Sequence, residues 1–282
     1  MHLVVSRFLS VSILMLLFLL PRSGNESMAA KRGNRPANPD RQVFLKIDQG
    51  FSMNRILDKK MSNLHYYGPG GVLNFGRRVH EKNYTAEWNF ARLQFHYSKP
   101  AHESTIVYNP AYGLRYMHLR KPGARSFFDI ELGGQADLFV NARVAPRLGN
   151  SFLFADLIGK IGPRVDLSTS SRFLWREWNV DLSMSAALFG YAFRMPEYGV
   201  SFKLSEDGGV KVQGYESQAL HPLNYGHFTT GLFIRESFGR RDNPNWFRLG
   251  YVWDYYTLGG RHGLNVNHAS HQFVLELYFK VN

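Results

Sequence analysis

A chain of 282 residues without one cysteine holds neither a disulfide framework nor a thiolate metal centre. Its formal charge of +12 would raise nucleic-acid binding in an intracellular protein, yet aromatics make up 15% and mean hydropathy is −0.28. That combination suits strands whose apolar and polar side chains alternate, and no window after residue 20 would cross a bilayer as a helix.

Met1–Arg7 is short and carries Arg7. Phe8–Leu20 (FLSVSILMLLFLL) is an apolar run of about thirteen residues, the length of a signal-peptide core and short for a spanning helix of roughly 20. The pattern predicts a signal peptide over 1–24, with cleavage near Gly24 or near Ala29-Ala30; an uncleaved anchor is the alternative. No cysteine follows the run, which excludes a lipoprotein of the usual bacterial kind. Residues 25–41, rich in Asn, Arg, Lys, Pro and Ser, predict a flexible leader. An exported chain rarely meets nucleic acid. Were it an outer-membrane barrel, its expected acidic partners would be outer-membrane lipid, lipopolysaccharide phosphates or an anionic solute in the lumen. The plainer alternative is basic residues scattered over turns, such as Arg120-Lys121 and Arg240-Arg241.

Residues 42–282 predict one all-β domain, because helical periodicity is nearly absent and period-two alternation recurs. Expected strands cover about 43–57, 71–79, 84–97, 111–119, 128–141, 152–161, 178–192, 199–205, 209–215, 227–238, 247–255 and 273–282. Gly68-Pro69-Gly70-Gly71 reads as a turn, and the change of register after Trp88-Phe90 reads as a bulge. Ile130, Leu132, Gly134, Ala136, Leu138 and Val140 share one face of their strand; Asp129, Glu131, Gln135, Asp137 and Asn141 share the other. Trp178, Val180, Leu182 and Met184 oppose Asn179, Asp181, Ser183 and Ser185 in the same way. Phe273, Leu275, Leu277, Phe279 and Val281 oppose Val274, Glu276, Tyr278, Lys280 and Asn282. Such strands need oil on one side and water on the other. About twelve strands follow, with ten to fourteen allowed. The connections 257–267, 216–226, 142–151 and 98–110 read as long, and 239–245, 206–208, 120–125 and 80–83 as short. Residues 162–173 and 194–198 break that alternation.

These features resemble Gram-negative outer-membrane β-barrel proteins over roughly residues 43–282. The resemblance implies a transmembrane antiparallel β-barrel in a bacterial outer membrane. Asn282 departs from the aromatic residue that commonly ends such chains. Asp129, Glu131, Gln135, Asp137, Asp181, Arg248 and Glu276 are then expected to face the lumen, with Arg143, Arg147, Arg164, Arg172 and Arg176 available to oppose the acids. A water-filled pore and a plugged interior held by ion pairs both satisfy enclosed charge.

No P-loop, dinucleotide fingerprint, G-x-S-x-G elbow or H-E-x-x-H motif occurs, so no cofactor is expected. His268-Ala269-Ser270 is locally similar to outer-membrane phospholipase A and the lipid A deacylases, where the histidine is a general base and the serine a nucleophile. Here His271-Gln272 follows instead of Asn-Gly. His268 and Ser270 also share parity with Val274 and Glu276, which face the lumen. Asn282 would lie about 40 Å away at roughly 3.3 Å per residue, so only a neighbour such as Glu216 or Asn224 could orient the base. His221, His227, His262, His268 and His271 crowd the C-terminal third without metal-ligand spacing and read as solvated loop residues. The leading expectation is a non-enzymatic barrel, either a narrow channel or a structural or accessory component of a surface assembly with protein partners. The alternatives are a lipid or lipid A acyl hydrolase and an exported soluble protein that binds polyanionic glycans.

Overall fold

The computed structural model describes residues 41–281, except 60, 102–104, 123–127, 148–152, 174–175, 195–200, 205–209, 214–215, 241–242 and 260–264. The expected signal peptide, nearly all of the leader, the turn at 206–208, His262 and Asn282 lie outside the described residues.

The strands are β1 (Gln42–Asp58), β2 (His65–His80), β3 (Tyr84–Ser98), β4 (Val107–Arg120), β5 (Asp129–Val144), β6 (Leu153–Phe173) and β7 (Arg176–Ala186). They continue with β8 (Phe189–Arg194), β9 (Ser201–Leu204), β10 (Val210–Gln213), β11 (Glu216–Leu220), β12 (Tyr225–Arg240), β13 (Asn243–Leu258) and β14 (Val266–Lys280). Each of β1 to β6 pairs antiparallel with the next, β1 pairs β14, and β14, β13, β12 and β7 lead back to β6. Ten strands thus close a ring, at the low end of the expected range, with β8 and β11 added outside it. β9 and β10 form a separate hairpin between those two.

The lower number has a local cause. β8 continues the line of β7 along β6, after a step at Ala187-Leu188 whose N–H groups bond His227 O and Ile161 O. β11 pairs β8 and leads through the turn 221–224 into β12. Residues 216–226 are therefore strand and turn rather than a long loop. Residues 162–173 are likewise strand, the second half of the 21-residue β6.

Paired residues trace the ring from Gln42 through His80, Thr85, Leu119, Gly133, Arg164, Ser185, Thr229, Asp254 and Ser270 to Asn54. One circuit returns to β1 twelve residues further along. With strands roughly 4.8 Å apart and a rise of roughly 3.3 Å per residue, that stagger sets a tilt of about 40° and a backbone radius of about 10 Å. Side chains can fill a tube of that width.

Prolines sit where the ladders allow them. Pro69, Pro110 and Pro163 each pair on one side, with Met53, Phe95 and Gly134, and each falls in a gap of the ladder on its other side. A missing N–H costs nothing there. The glycine cluster 68–71, expected to turn, lies inside β2. Its glycines serve close approach: a Cβ at Gly68 would lie 1.8 Å from Tyr97 O, and one at Gly70 would lie 2.2 Å from the His96 ring. Gly68→Ala is expected to cost about 1–3 kcal/mol through overpacking, read as a lower midpoint in urea unfolding of the folded barrel. The bulge expected in β3 is present, as the register with β4 shifts between Asn89 and Arg92.

The outward faces are apolar. Leu45, Phe51 and Met53 of β1, Leu132 and Leu138 of β5, Leu249 and Tyr251 of β13, and Phe273 and Leu275 of β14 are all exposed, Phe273 by 63%. The facing interior is buried and largely polar. This is the reverse of a soluble protein, and a bilayer is the solvent that suits it. The connections 81–83, 174–175 and 241–242 are short, while 121–128 at the same end, expected as a short turn at 120–125, spans eight residues. At the other end 59–64, 99–106, 145–152 and 259–265 are longer, and so is the excursion between β8 and β11. The long-loop end is therefore the outer one.

Candidate functional site: the filled lumen

Alternation sends every second side chain inward, and register decides which of them meet. Asp137 pairs directly with Arg115 across β5 and β4, and Glu276 pairs with Arg248 across β14 and β13. Asp48 and Glu276, directly opposite each other, would repel. Lys46 joins them instead: its Nζ lies 3.0 Å from Asp48, 2.9 Å from Glu87 and 3.4 Å from Glu276. Arg248 Nε lies 3.3 Å from Glu276 and 3.6 Å from Asp181. At the inner end Trp246 stacks on Tyr278 at 3.4 Å between centroids, with the Arg78 guanidinium 5.6 Å from the indole.

The middle layer centres on Asp137. It accepts from Arg115 Nε at 2.5 Å and Arg92 Nη1 at 3.2 Å, faces Lys160 Nζ at 3.3 Å, and accepts from Gln135 Nε2 at 2.6 Å. Arg164 Nη1 donates to Gln135 Oε1 at 2.9 Å, and its Nε donates to Asp166 at 2.9 Å. Glu131 accepts from Thr85 Oγ1 at 3.0 Å near the inner end, where Asp129 is exposed.

Further out, His227 lies between the Tyr225 hydroxyl at 2.8 Å and Asp254 Oδ1 at 2.9 Å, and Thr229 also donates to Asp254. His96 meets Ser52 Oγ at 2.9 Å, in the space left by Gly70. Asn141 Nδ2 donates to Tyr256 OH at 2.6 Å.

Beyond them the outer mouth is closed by a quartet. Arg143 reaches Asp58 at 2.7 Å and Asp156 at 2.5 Å; Arg194 reaches Asp156 at 3.0 Å and Asp58 at 3.5 Å. Asp58 belongs to β1, and the other three to β5, β6 and β8 on the far side of the ring, so the quartet crosses the diameter. Met61, Tyr66, Val107, Ala145 and Phe154 pack as one apolar cluster at this end, and Ile158, Ala192, Leu220, Tyr225, Tyr256, Leu258 and Val266 as another. Among the described residues, cavities between the layers include one of about 70 Å³ and one of about 40 Å³. Each has room for a few waters.

Gln135, Asp137, Asp181, Arg248 and Glu276 are thus buried within the barrel and joined to partners. Arg143 and Arg164 are in the network, while Arg147 is exposed near the mouth. The side chains of Arg172 and Arg176 lie outside the described ones. The acids and bases that sequence parity passed over include Lys46, Asp48, Asp58, Arg78, Glu87, Arg92, Arg115, Asp156, Lys160 and Arg194, whereas Asp254 shares the polar face of its strand with Arg248. Lys46 and Asp48 alternate with Leu45 and Ile47, a signal available in the sequence.

His268 and Ser270 also face inward and are buried. They do not bond each other: neither ring nitrogen of His268 has a hydrogen-bond partner, and Ser270 Oγ accepts from Gln272 at 3.2 Å. Asn224 spends its amide on Ala219 O and the His221 N–H. The Glu216 side chain lies outside the described ones. The reading of the histidines as solvated loop residues is corrected for two of them. His227 and His268 are buried because β12 and β14 continue outward past the apolar belt, so their inward positions stay enclosed. His271 is exposed on the outward face and bonds Tyr251 OH. Among the described residues, no group of three or more His, Asp or Glu side chains is arranged to hold a metal ion.

No family model and no curated protein matches the chain. Among solved structures it is similar to the outer membrane protease OmpT from Escherichia coli, at 7% identity and a TM-score of 0.42, over 86% of this chain and 96% of that one. It is also similar to the translocator domain of the autotransporter NalP from Neisseria meningitidis, at 10% identity and a TM-score of 0.37, over 90% and 93%. The toluene transporter TodX of Pseudomonas putida follows at 8% identity and a TM-score of 0.27, over 91% and 93%. Protease, translocator and transporter are descriptions of those proteins. The closed ring, apolar exterior and charged interior are the build of an outer-membrane β-barrel, the class of Gram-negative proteins that this chain resembles.

Proposed function

We propose that the protein is a non-conducting, non-enzymatic outer-membrane barrel, a structural or accessory component of a surface assembly, rather than an open channel. The observation that carries this reading is the quartet Asp58–Arg143–Asp156–Arg194, which spans the outer mouth above a lumen already crossed by ion pairs. A conducting pore of this radius would need its charges hydrated and its axis clear. Here the charges are spent on one another, and the apolar clusters cap the outer end. The acyl-hydrolase reading draws no support from His268 and Ser270, which face inward, away from lipid, without a mutual hydrogen bond.

Single-protein recording in planar lipid bilayers tests this. The wild type is expected to give no steady conductance. Arg143→Ala/Asp156→Ala, which removes two of the three far-side members and leaves only the 3.5 Å Arg194–Asp58 contact across the mouth, is expected to give intermittent openings. Steady wild-type conductance would sink the proposal in favour of a narrow channel.

A further inference from the structure

We infer that the outward face of the outer rim carries a docking site for the phosphorylated glycolipid of the outer leaflet, lipopolysaccharide, built on Arg55, Tyr67 and Lys99. Register sets the three side by side. Arg55 of β1 pairs with Tyr67 of β2, and Tyr67 bridges to Lys99 just past the end of β3. Paired residues share a face, and two strand spacings, about 10 Å, separate the two cations. All three residues are exposed. The next outward residues toward the bilayer are apolar, among them Met53 and Tyr97, so the row lies at the edge of the lipid-facing belt.

The row is held in place. The Arg55 guanidinium lies 5.5 Å from the Tyr67 ring centroid, and its Nε donates to His65 Nδ1 at 3.3 Å. A guanidinium has five N–H donors, more than one imidazole can use, and its fork matches a phosphate. Among the described residues, no carboxylate shares the outward face of β14, β1, β2 or β3 at this level. The contrast with the interior is sharp, because there each cation of the network meets a carboxylate. The unopposed charge therefore calls for an anion from outside the chain, attached to an apolar body that can lie along Met53 and Tyr97. Phosphate on an acylated glycolipid has both parts. A glycerophospholipid would offer phosphate too, but the row belongs to the long-loop end and hence to the outer leaflet. The rim site does not depend on whether the lumen conducts.

The test uses the full barrel folded in a neutral detergent and titrated with purified lipopolysaccharide, with dephosphorylated lipopolysaccharide, and with phosphatidylglycerol. Lipopolysaccharide should bind tightest. Arg55→Ala/Lys99→Ala should weaken it about 25-fold, at about fivefold for each cation removed beside a charged membrane surface. Arg55→Lys/Lys99→Arg keeps both charges and should retain most of the binding. Lys82→Ala, on the inner turn, should bind as the wild type does. Heat-modifiable migration on gels confirms folding of each variant. Unchanged affinity of the alanine pair would overturn the site, as would equal binding of the dephosphorylated form or an equal loss in Lys82→Ala. Phosphatidylglycerol binding as tightly as lipopolysaccharide would overturn the assignment to the glycolipid.

Discussion

Asp137→Ala is expected to lower the barrel's unfolding free energy by about 3–5 kcal/mol, the usual cost of removing one partner from a buried ion pair. The reason lies in how many groups depend on this carboxylate. Arg92, Arg115 and Lys160 converge on it from β3, β4 and β6, and Gln135 donates to it from β5 itself. Without it, three cations face one another in an enclosed layer whose other acids are already engaged: Asp254 accepts from His227 and Thr229, and Asp48 and Glu87 meet Lys46. Asp137→Asn keeps the shape and an acceptor and is expected to lose less. Asp137→Ala/Lys160→Met removes one of the stranded cations and should recover part of the loss, because residues sharing one network are not additive. Equilibrium urea unfolding in lipid vesicles measures all three. An Asp137→Ala midpoint equal to that of the wild type would mean that water, not Asp137, screens these cations, and the filled-lumen description would fail with it.

The faces of β5, β7 and β14 are legible in the sequence because alternation there runs unbroken, and a one-residue slip would put Asp137 or Glu276 into lipid. What alternation does not carry is which inward residues meet. The quartet joins Asp58 to residues 85 to 136 positions later in the chain, and only the stagger of the ring brings them together. Strand ends are poorly legible for a related reason. Past the belt, outward residues such as Arg55, His65 and Asn267 are polar, so both faces look alike and the pattern fades while the strand continues. His268 and Ser270 consequently look like a loop junction although they are the third and fifth residues of β14. Glycine and proline mislead in β2 and β6, where they mark ladder gaps and close approach instead of turns. The rim at Arg55 and Lys99 escapes single-strand reading altogether, because it exists only across three strands.

Phe273→Arg is expected to cost about 2–4 kcal/mol, the penalty for a cation on the lipid face near the bilayer midplane. Phe273 is the outward residue most exposed on β14, and its cross-strand neighbours are Phe51 on one side and Tyr251 on the other. A charge there has no carboxylate and no water within the row. Val281→Arg, on the same face at the inner end of the strand, is expected to cost only about 0–1 kcal/mol, since the side chain reaches the interface. The depth dependence is the decisive part. In a soluble protein both positions would already face water, and an arginine at either would change stability by about 0.5 kcal/mol or less. Unfolding the two variants from vesicles of defined thickness separates the cases. Equal and small effects at 273 and 281 would remove the bilayer from around this strand, and the outer-membrane assignment would go with it.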